Sequence, residues 1–418
     1  MYKRKIVLIA AYDVSLHTSE GYIAVSFLAR IDPEIKVILL TRINNVSELC
    51  DNFEFKASCP NVKLIGYDLP KWLTCWKKGA RGYRLYAYLW QISWPFTLKF
   101  KRRLIKRLSV VHTLNFHNDS IPNMGWILGK PTVWGPINHN EATLTWRMKN
   151  WPIKMRINNT LKAVIRRLAW RLDPLLKLSI LKTDVVFSAG NWVDQRLGLR
   201  DRVNVQRKSQ LGFDVSMLPL RRSTPSTALS LVIGGRLDWI KGIDLALHAL
   251  ALLPHNVTLT LIGDGPCKSF LIERARKLSI LERVKFLPAV SREQLLQHYA
   301  DHDIFLFPSA ETGGLAWVEA LAVGLPIVGF DGHTELADIS THLPGIKLAK
   351  DLGAFEENVK ELAKTIQIIA SESYDPVILS TAAQDHYGWE IFASDIQDVY
   401  RNIANKKNKI SNSERLPK

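Results

Sequence analysis

The sequence predicts an α/β protein built from two doubly wound parallel sheets, and three observations carry that prediction. Apolar runs of strand length alternate with stretches of helical periodicity almost throughout the chain. Most of these runs are apolar on both faces, as strands of a parallel sheet covered on both sides must be. The runs fall into two series, with an aperiodic break at "LGFDVSMLPLRRSTPSTALS".

In order, the first series reads "KIVLIAA", "KVILLT", "VKLIGYD", "SVVHTL", "PTVWGP" and "DVVFSAG". The second reads "LSLVIGG", "VTLTLIG", "RVKFLP", "DIFLFPS" and "PIVGF". The expected division is therefore residues 1–215, residues 216–385, a last helix over 386–404 ("HYGWEIFASDIQDVYRNIA") and a flexible basic tail over 405–418. At 418 residues the chain is long enough for two such cores. No internal repeat or low-complexity tract interrupts them.

Composition narrows the class. A hydrophobic content of 47% with 23% charged residues excludes a disordered chain. Cys50, Cys59, Cys75 and Cys267 show neither zinc-ligand spacing nor a disulfide framework, which fits a reducing compartment. The N-terminal "KIVLIAA" is too short for a secretory core and reads as a first strand, so a cytoplasmic protein is expected. Charge is uneven: residues 1–214 hold 35 Lys or Arg against 15 Asp or Glu, and residues 215–418 hold 21 against 24. Such asymmetry points the first half toward an anionic partner.

The stretch "SAETGGLAWVEALAVGLPIV" carries the densest chemistry. It follows a buried strand, so Glu311 falls in a strand-to-helix loop, Gly313 and Gly314 at the helix mouth, and Glu319 one or two turns in. A helix mouth offers unpaired N–H groups and the positive end of the dipole to an anion, and glycine lets a phosphate approach the backbone. Carboxylates on either side suit neutral hydroxyls, which is the layout of a nucleotide sugar. The same acids also fit a capping role and a dipole-favoured helix position. Upstream, "LVIGGRLDWIKG" sets Arg236 and Lys241 just beyond a strand, where two cations can neutralise a diphosphate or simply lie in solvent.

In order, "GRLDWIKG", "IGDGP", "VKFLPAVSREQLLQHYADHDIFLFPS", "ETGGLAWVEALAVGLPIV" and "HTELAD" resemble the C-terminal domain of retaining glycosyltransferases of the GT-B fold, in the large bacterial group called family four. The resemblance implies two Rossmann-like domains, with Arg236 and Lys241 clamping the diphosphate, Glu319 on the ribose and Glu311 on the transferred sugar. Gly314 and Leu315 would offer backbone N–H groups, and Gly235, Gly263 and Val290 complete the nucleotide-sugar set. Two departures stand out: the family commonly has a bulky apolar residue at Gly313, and a glycine pair at Gly332 and His333. In the first half, "HTSEGYIAVSFLARI" is similar to the family's glycine loop, with Gly21 approaching the reacting phosphate. "LGKPTVWGPINHNE" is similar to the segment that faces the donor sugar, a place that His139 or Asn138 fills. His112 and His117 read as structural or acceptor-side.

The implied reaction is retaining transfer from a UDP- or GDP-sugar to a glycan or lipid-linked acceptor in cell-surface polysaccharide synthesis. No cofactor or metal is implied. "DHD" (Asp301, His302, Asp303) mimics a metal-binding acid pair, but at a helix end entering a buried strand. Residues 71–107 contain eleven Lys or Arg, no acid, and Trp72, Trp76, Tyr83, Tyr86, Tyr88, Trp90 and Trp94; residues 146–182 repeat the bias. This pattern fits an anionic membrane surface, with the protein peripheral on its inner face. It also fits nucleic acid, against which the donor motifs stand, or a solvated face with its aromatics in the core. Two other functions share the sequence features: a nucleotide-sugar epimerase or hydrolase of the same fold, and a basic binding protein with a decayed catalytic domain.

Overall fold

The computed structural model describes residues 6–16, 19–77, 82–114, 118–199, 204–214, 219–221, 228–332 and 334–413. Its contacts divide the chain into two units. The first takes residues 1–139, 166–210 and 389–418; the second takes 140–165 and 211–388. The boundary expected at 215/216, and with it His117 and His333, lies outside the described residues.

The first unit holds a sheet of seven parallel strands among the described residues: β1 (Ile6–Ala11), β2 (Lys36–Thr41), β3 (Val62–Gly66), β4 (Leu108–Leu114), β5 (Thr132–Ile137), β6 (Val185–Ser188) and β7 (Asn204–Arg207). Their order is β3-β2-β1-β4-β5-β6-β7. Its helices are α1 (Ser19–Leu28), α2 (Ile43–Asp51), α3 (Phe53–Ser58), α4 (Tyr83–Lys99), α5 (Arg102–Arg107), the end of α6 (Ile153–Leu172), α7 (Pro174–Lys182) and α8 (Asn191–Leu197). Side chains of β1 alternate between two cores, as the strand period of two requires. Val7 and Ile9 join one core, which also takes Trp389, Phe392, Ile396 and Tyr400. Leu8 and Ala10 join the other, which takes Tyr86, Trp90 and Trp94.

That second core divides the basic aromatic segment 71–107. Trp90 and Trp94 are fully buried, and the Trp90 indole N–H donates to the Tyr67 carbonyl at 2.8 Å. Trp72, Trp76, Tyr83 and Phe100 remain exposed, as do Lys101, Arg102, Arg103, Lys106 and Arg107.

The second unit holds β8 (Ser230–Gly234), β9 (Thr258–Ile262), β10 (Val284–Leu287), β11 (Ile304–Phe307), β12 (Ile327–Phe330) and β13 (Ile346–Ala349), all parallel, in the order β10-β9-β8-β11-β12-β13. Its helices after α6 are α9 (Ile243–Leu252), α10 (Lys268–Lys277), α11 (Arg292–Ala300), α12 (Leu315–Ala322), α13 (Glu335–Ile339), α14 (Phe355–Ala370) and α15 (Pro376–Tyr387). Ile304 and Leu306 pack to one face of this sheet, Phe305 and Phe307 to the other.

Two segments cross the sequence division. Residues 140–165 lie in the second unit, where Trp146 enters the core and Asn150 donates to Asp244 at 2.6 Å. The chain returns to the first unit at Trp389, opening α16 (Trp389–Ser413). α16 runs to Ser413, into the stretch where a flexible tail was expected from residue 405.

Candidate functional site

In the second sheet the strand order reverses between β8 and β11. Chain segments leave these neighbours in opposite directions, which opens a crevice at their carboxyl ends. The loops after both strands carry the residues singled out in the sequence.

After β8 the backbone turns at Gly235, whose φ of +118° belongs to the region that favours glycine. The Asp238 side chain accepts from the Trp239 N–H at 2.7 Å and starts a tight turn that ends at Lys241. Gly242 follows at φ +65°, where a Cβ would meet the Pro308 carbonyl oxygen at 2.2 Å. This close approach seats the turn against the end of β11. There the Ala310 N–H donates to the Ile240 carbonyl at 2.9 Å, and the Glu311 N–H donates to Ser309 Oγ at 3.1 Å. The result is an ion pair, with Lys241 Nζ 2.6 Å from Glu311 Oε2 and both side chains about one-fifth exposed. Arg236 is different: its side chain is 71% exposed, and its nearest carboxylate, Asp238, stands at 3.5 Å.

Glu311 and Gly314 bracket a loop fixed from below. Thr312 donates from both its N–H and its hydroxyl to Asn140 Oδ1, each at 3.0 Å, and the Glu335 N–H donates to its carbonyl at 2.7 Å. Arg147 donates to the Pro308 carbonyl at 2.8 Å while stacked against Trp146 and Phe330. Gly314 caps α12, and a Cβ there would press on the Phe307 ring at 2.8 Å. The first-turn N–H groups of α12, from Leu315 onward, have no partner within the helix.

Glu319 sits in the second turn of α12, only 5% exposed. Burial pushes its carboxyl above the usual range, and the Arg292 guanidinium at 2.9 Å opposes that rise. Gly263 and Val290 follow β9 and β10. A Cβ on Gly263 would lie 2.1 Å from the Gly235 carbonyl oxygen, and Asp264 accepts from the Ala289 N–H at 3.1 Å, joining the two loops.

The sequence singled out the acids, cations and glycines that lie on these loops, but not Asn140, Arg147, Thr312 and Arg292, which contact them. Only Arg292 left a signal, in the capping box "SREQ" that the structure confirms between Ser291 and Gln294.

Gly21 and His139 belong to the first unit. Gly21 is buried in the first turn of α1 rather than in the loop before it. Asn138 is fully buried, and its Oδ1 accepts from the Trp192 indole at 3.1 Å and from the His139 N–H at 2.8 Å. The His139 ring is half-buried, edge-on to Trp170 at 6.3 Å. Behind it Arg196 pairs with the fully buried Asp119 at 2.6 Å and stacks on Trp170. His112 is structural: its Nε2 donates to the Gly135 carbonyl at 2.7 Å, and its Nδ1 accepts from the Tyr400 hydroxyl.

The "DHD" residues are engaged within the fold. Asp303 accepts from the Ser230 N–H and hydroxyl at 2.9 and 2.7 Å, His302 bridges the His298 carbonyl and Thr260 Oγ1, and Asp301 accepts from Gln297.

Residues 222–385 match the family model described as Glycosyl transferases group 1. The second unit carries a glycosyl transferases group 1 domain. Its neighbours in sequence include the D-inositol 3-phosphate glycosyltransferase of Mycolicibacterium smegmatis, 32% identical over 160 residues, 36% of this chain and 34% of that protein. The glycogen synthase of Mycobacterium tuberculosis is 34% identical over 122 residues, 28% of this chain and 30% of that one. The chain thus spans about a third of the length of these curated relatives. Likeness in structure extends over both units. Sucrose-phosphate synthase from Thermosynechococcus elongatus superimposes with TM-score 0.62 at 16% identity, covering 96% of this chain and 99% of that one. Anabaena Alr3699/HepE in complex with UDP gives 0.60 at 15% identity, covering 95% and 100%. The group 1 domain and the doubly wound unit before it have the GT-B fold.

Proposed function

We propose that the chain transfers a sugar from a nucleotide-sugar donor to a glycan or lipid-linked acceptor, retaining the configuration at the anomeric carbon. The observation that carries this reading is the grouping of Lys241, Glu311 and the α12 mouth at the reversal point of the group 1 sheet, with Glu319 one turn deeper. Lys241 and Arg236 neutralise the diphosphate, aided by the N–H groups of Gly314 and Leu315. Glu319 accepts from the ribose hydroxyls, and Glu311 orients the sugar. As the glycosidic bond to phosphate breaks, negative charge builds on the leaving diphosphate, where these cations and the helix dipole already stand. No metal is needed for that charge. Gly235, Gly263 and Val290 form the nucleotide wall.

Known neighbours support a uridine donor, since the HepE structures contain UDP and UDP-glucose; GDP remains the alternative base. An acceptor in cell-surface polysaccharide is supported by likeness to the lipopolysaccharide outer core galactosyltransferase WaaB, TM-score 0.59 at 14% identity. Among the described residues no helix is long and apolar enough to cross a membrane. A lipid-linked acceptor would hold the protein peripherally at the cytoplasmic face, where the cation excess of residues 1–214 meets anionic lipid.

A panel of UDP-, GDP- and ADP-sugars tested by thermal shift, followed by transfer assays, decides the reading. A ligand at 100 times its dissociation constant stabilises by about 2.7 kcal/mol. Release of nucleoside diphosphate only when acceptor is present, with the donor's anomeric configuration in the product, supports it. Donor turnover without acceptor points to the hydrolase or epimerase, and no shift with any nucleotide refutes it.

A further inference from the structure

A surface helix of a globular protein normally turns its apolar stripe inward. Helix α6 does the reverse. At 3.6 residues per turn Ile153, Ile157, Leu161, Ile165, Leu168 and Leu172 share an arc of about 120°. Each is at least half exposed, from 50% at Leu168 to 73% at Ile153, and α6 buries none of its residues fully.

The opposite face is the one that meets the protein. Asn159, Ala163, Arg166 and Trp170 lie there, all partly buried. Asn159 donates to Met148 Sδ at 3.4 Å, and the Trp170 indole donates to Asp119 Oδ1 at 3.0 Å. These contacts fix the rotation of the helix, so the aliphatic stripe faces outward by construction.

Charge selects the occupant of the stripe. The helix contains Lys154, Arg156, Lys162, Arg166, Arg167 and Arg171 and no acid. A second copy pairing stripe to stripe would bring two such sets of cations together. A phosphate-rich lipid surface instead meets cations beside aliphatics, which is how an interfacial helix binds. We propose that α6 is a membrane-docking helix, lying flat with its aliphatic stripe in the headgroup boundary of an anionic bilayer. This deepens the reading of a lipid-linked acceptor and rests on it for its purpose, though not for its test. It adds an apolar contact to that of residues 71–107, where Trp72, Trp76, Tyr83 and Phe100 stay exposed while Trp90 and Trp94 are core residues.

The test uses the full chain and large vesicles of phosphatidylcholine with or without phosphatidylglycerol, read by co-sedimentation. The parent binds the anionic vesicles and binds the neutral ones weakly. The triple variant Ile157→Gln, Leu161→Gln, Leu168→Gln loses about tenfold or more in vesicle affinity, since each of these side chains leaves water on insertion. Lys162→Gln, Arg167→Gln, Arg171→Gln loses roughly 100-fold on anionic vesicles at low salt, and little on neutral ones. Both variants keep the parent's melting temperature. Equal binding by parent and stripe variant overturns the proposal, as does a parent that ignores anionic vesicles. So does a parent dimer, seen by light scattering, that the stripe variant dissolves. Nucleoside diphosphate shifts measured on the same proteins are independent: their absence with vesicle binding intact refutes the transferase reading and leaves the docking helix standing.

Discussion

Lys241 Nζ lies 2.6 Å from Glu311 Oε2, so the most buried cation of the proposed diphosphate clamp is already neutralised by the carboxylate proposed for the sugar. Ion pairing keeps both side chains ordered before a donor arrives. A diphosphate then competes with Glu311 for one ammonium group, and the two substitutions at this pair have different expected signs.

Lys241→Ala removes a charge-assisted contact worth about 1.5 to 3 kcal/mol, weakening free nucleoside diphosphate roughly 10- to 100-fold. Glu311→Gln releases Lys241, so nucleoside diphosphate binds as well as before or better, while transfer from the full donor collapses. Isothermal titration with UDP and GDP, paired with turnover, checks both. Parallel losses of diphosphate affinity in the two variants would contradict the competition. Arg236→Ala, at an exposed position, lowers affinity without moving the melting temperature.

The Glu319 and Arg292 pair yields a pH prediction. Burial raises the Glu319 carboxyl, and Arg292 holds it down. In Arg292→Gln the opposing charge is gone, so the carboxyl rises further above its unfolded value. A buried acid with a raised folded pKa destabilises the protein above that value, and the penalty is relieved as pH falls through it toward the ordinary range near 4.5. The variant's melting temperature therefore climbs relative to the parent's on acidification. Its affinity for nucleotide moves the opposite way, because the ionised carboxylate is the better acceptor for ribose hydroxyls. If stability and affinity of this variant fall together on acidification, Glu319 is not the titrating group.

Chelation should leave transfer unchanged, since side-chain cations and the α12 mouth face the leaving diphosphate in this proposal. Assays before and after exhaustive EDTA treatment, with magnesium or manganese added back, test it. Activity that vanishes and returns with the metal would mean that the cations here do not suffice.

Legibility in the sequence followed burial. Among the described residues eleven strands announced themselves as apolar runs: nine interior ones are largely buried on both faces, and the edge strands β3 and β10, though partly exposed, still keep three apolar residues each. The two that did not, β7 ("NVQR") and β13 ("IKLA"), are four-residue strands at sheet edges, where one side is unpaired and polar residues are tolerated. Glu311, Gly314 and Glu319 were readable because a strand, a glycine mouth and a helix are contiguous there. Asn140 and Arg147 were not, since each acts on a residue far away in the chain and no local pattern marks a long-range hydrogen bond; the capping box at Ser291 marks the helix start that carries Arg292 but not its partner Glu319. Composition alone likewise could not tell the buried Trp90 and Trp94 from the exposed Trp72, or show that α6 turns its aliphatic face outward.

His112 links the first sheet to the C-terminal helix, and its titration should be visible in stability. It is fully buried on β4, donating through Nε2 to the Gly135 carbonyl and accepting through Nδ1 from the Tyr400 hydroxyl of α16. A carbonyl oxygen can only accept, so the neutral ring with its proton on Nε2 satisfies both contacts, whereas a second proton would break the one to Tyr400. Burial lowers its pKa from 6.5 to about 4. Between those values the unfolded chain binds a proton that the folded chain does not, so stability is full above about 6.5 and falls as pH drops toward 4. The contribution is at most about 3 kcal/mol. His112→Gln keeps an amide donor for Gly135 and an oxygen for Tyr400 but cannot titrate. Melting curves of parent and variant from pH 7.5 to 4 should therefore diverge in slope through that window, the variant losing less on acidification. His248 and His302, also lowered by burial, titrate alike in both proteins and cancel in the difference. Parallel curves would show that His112 keeps its proton balance on unfolding, and Tyr400→Phe then separates the hydrogen bond from the charge: it should lower stability at every pH without flattening the slope.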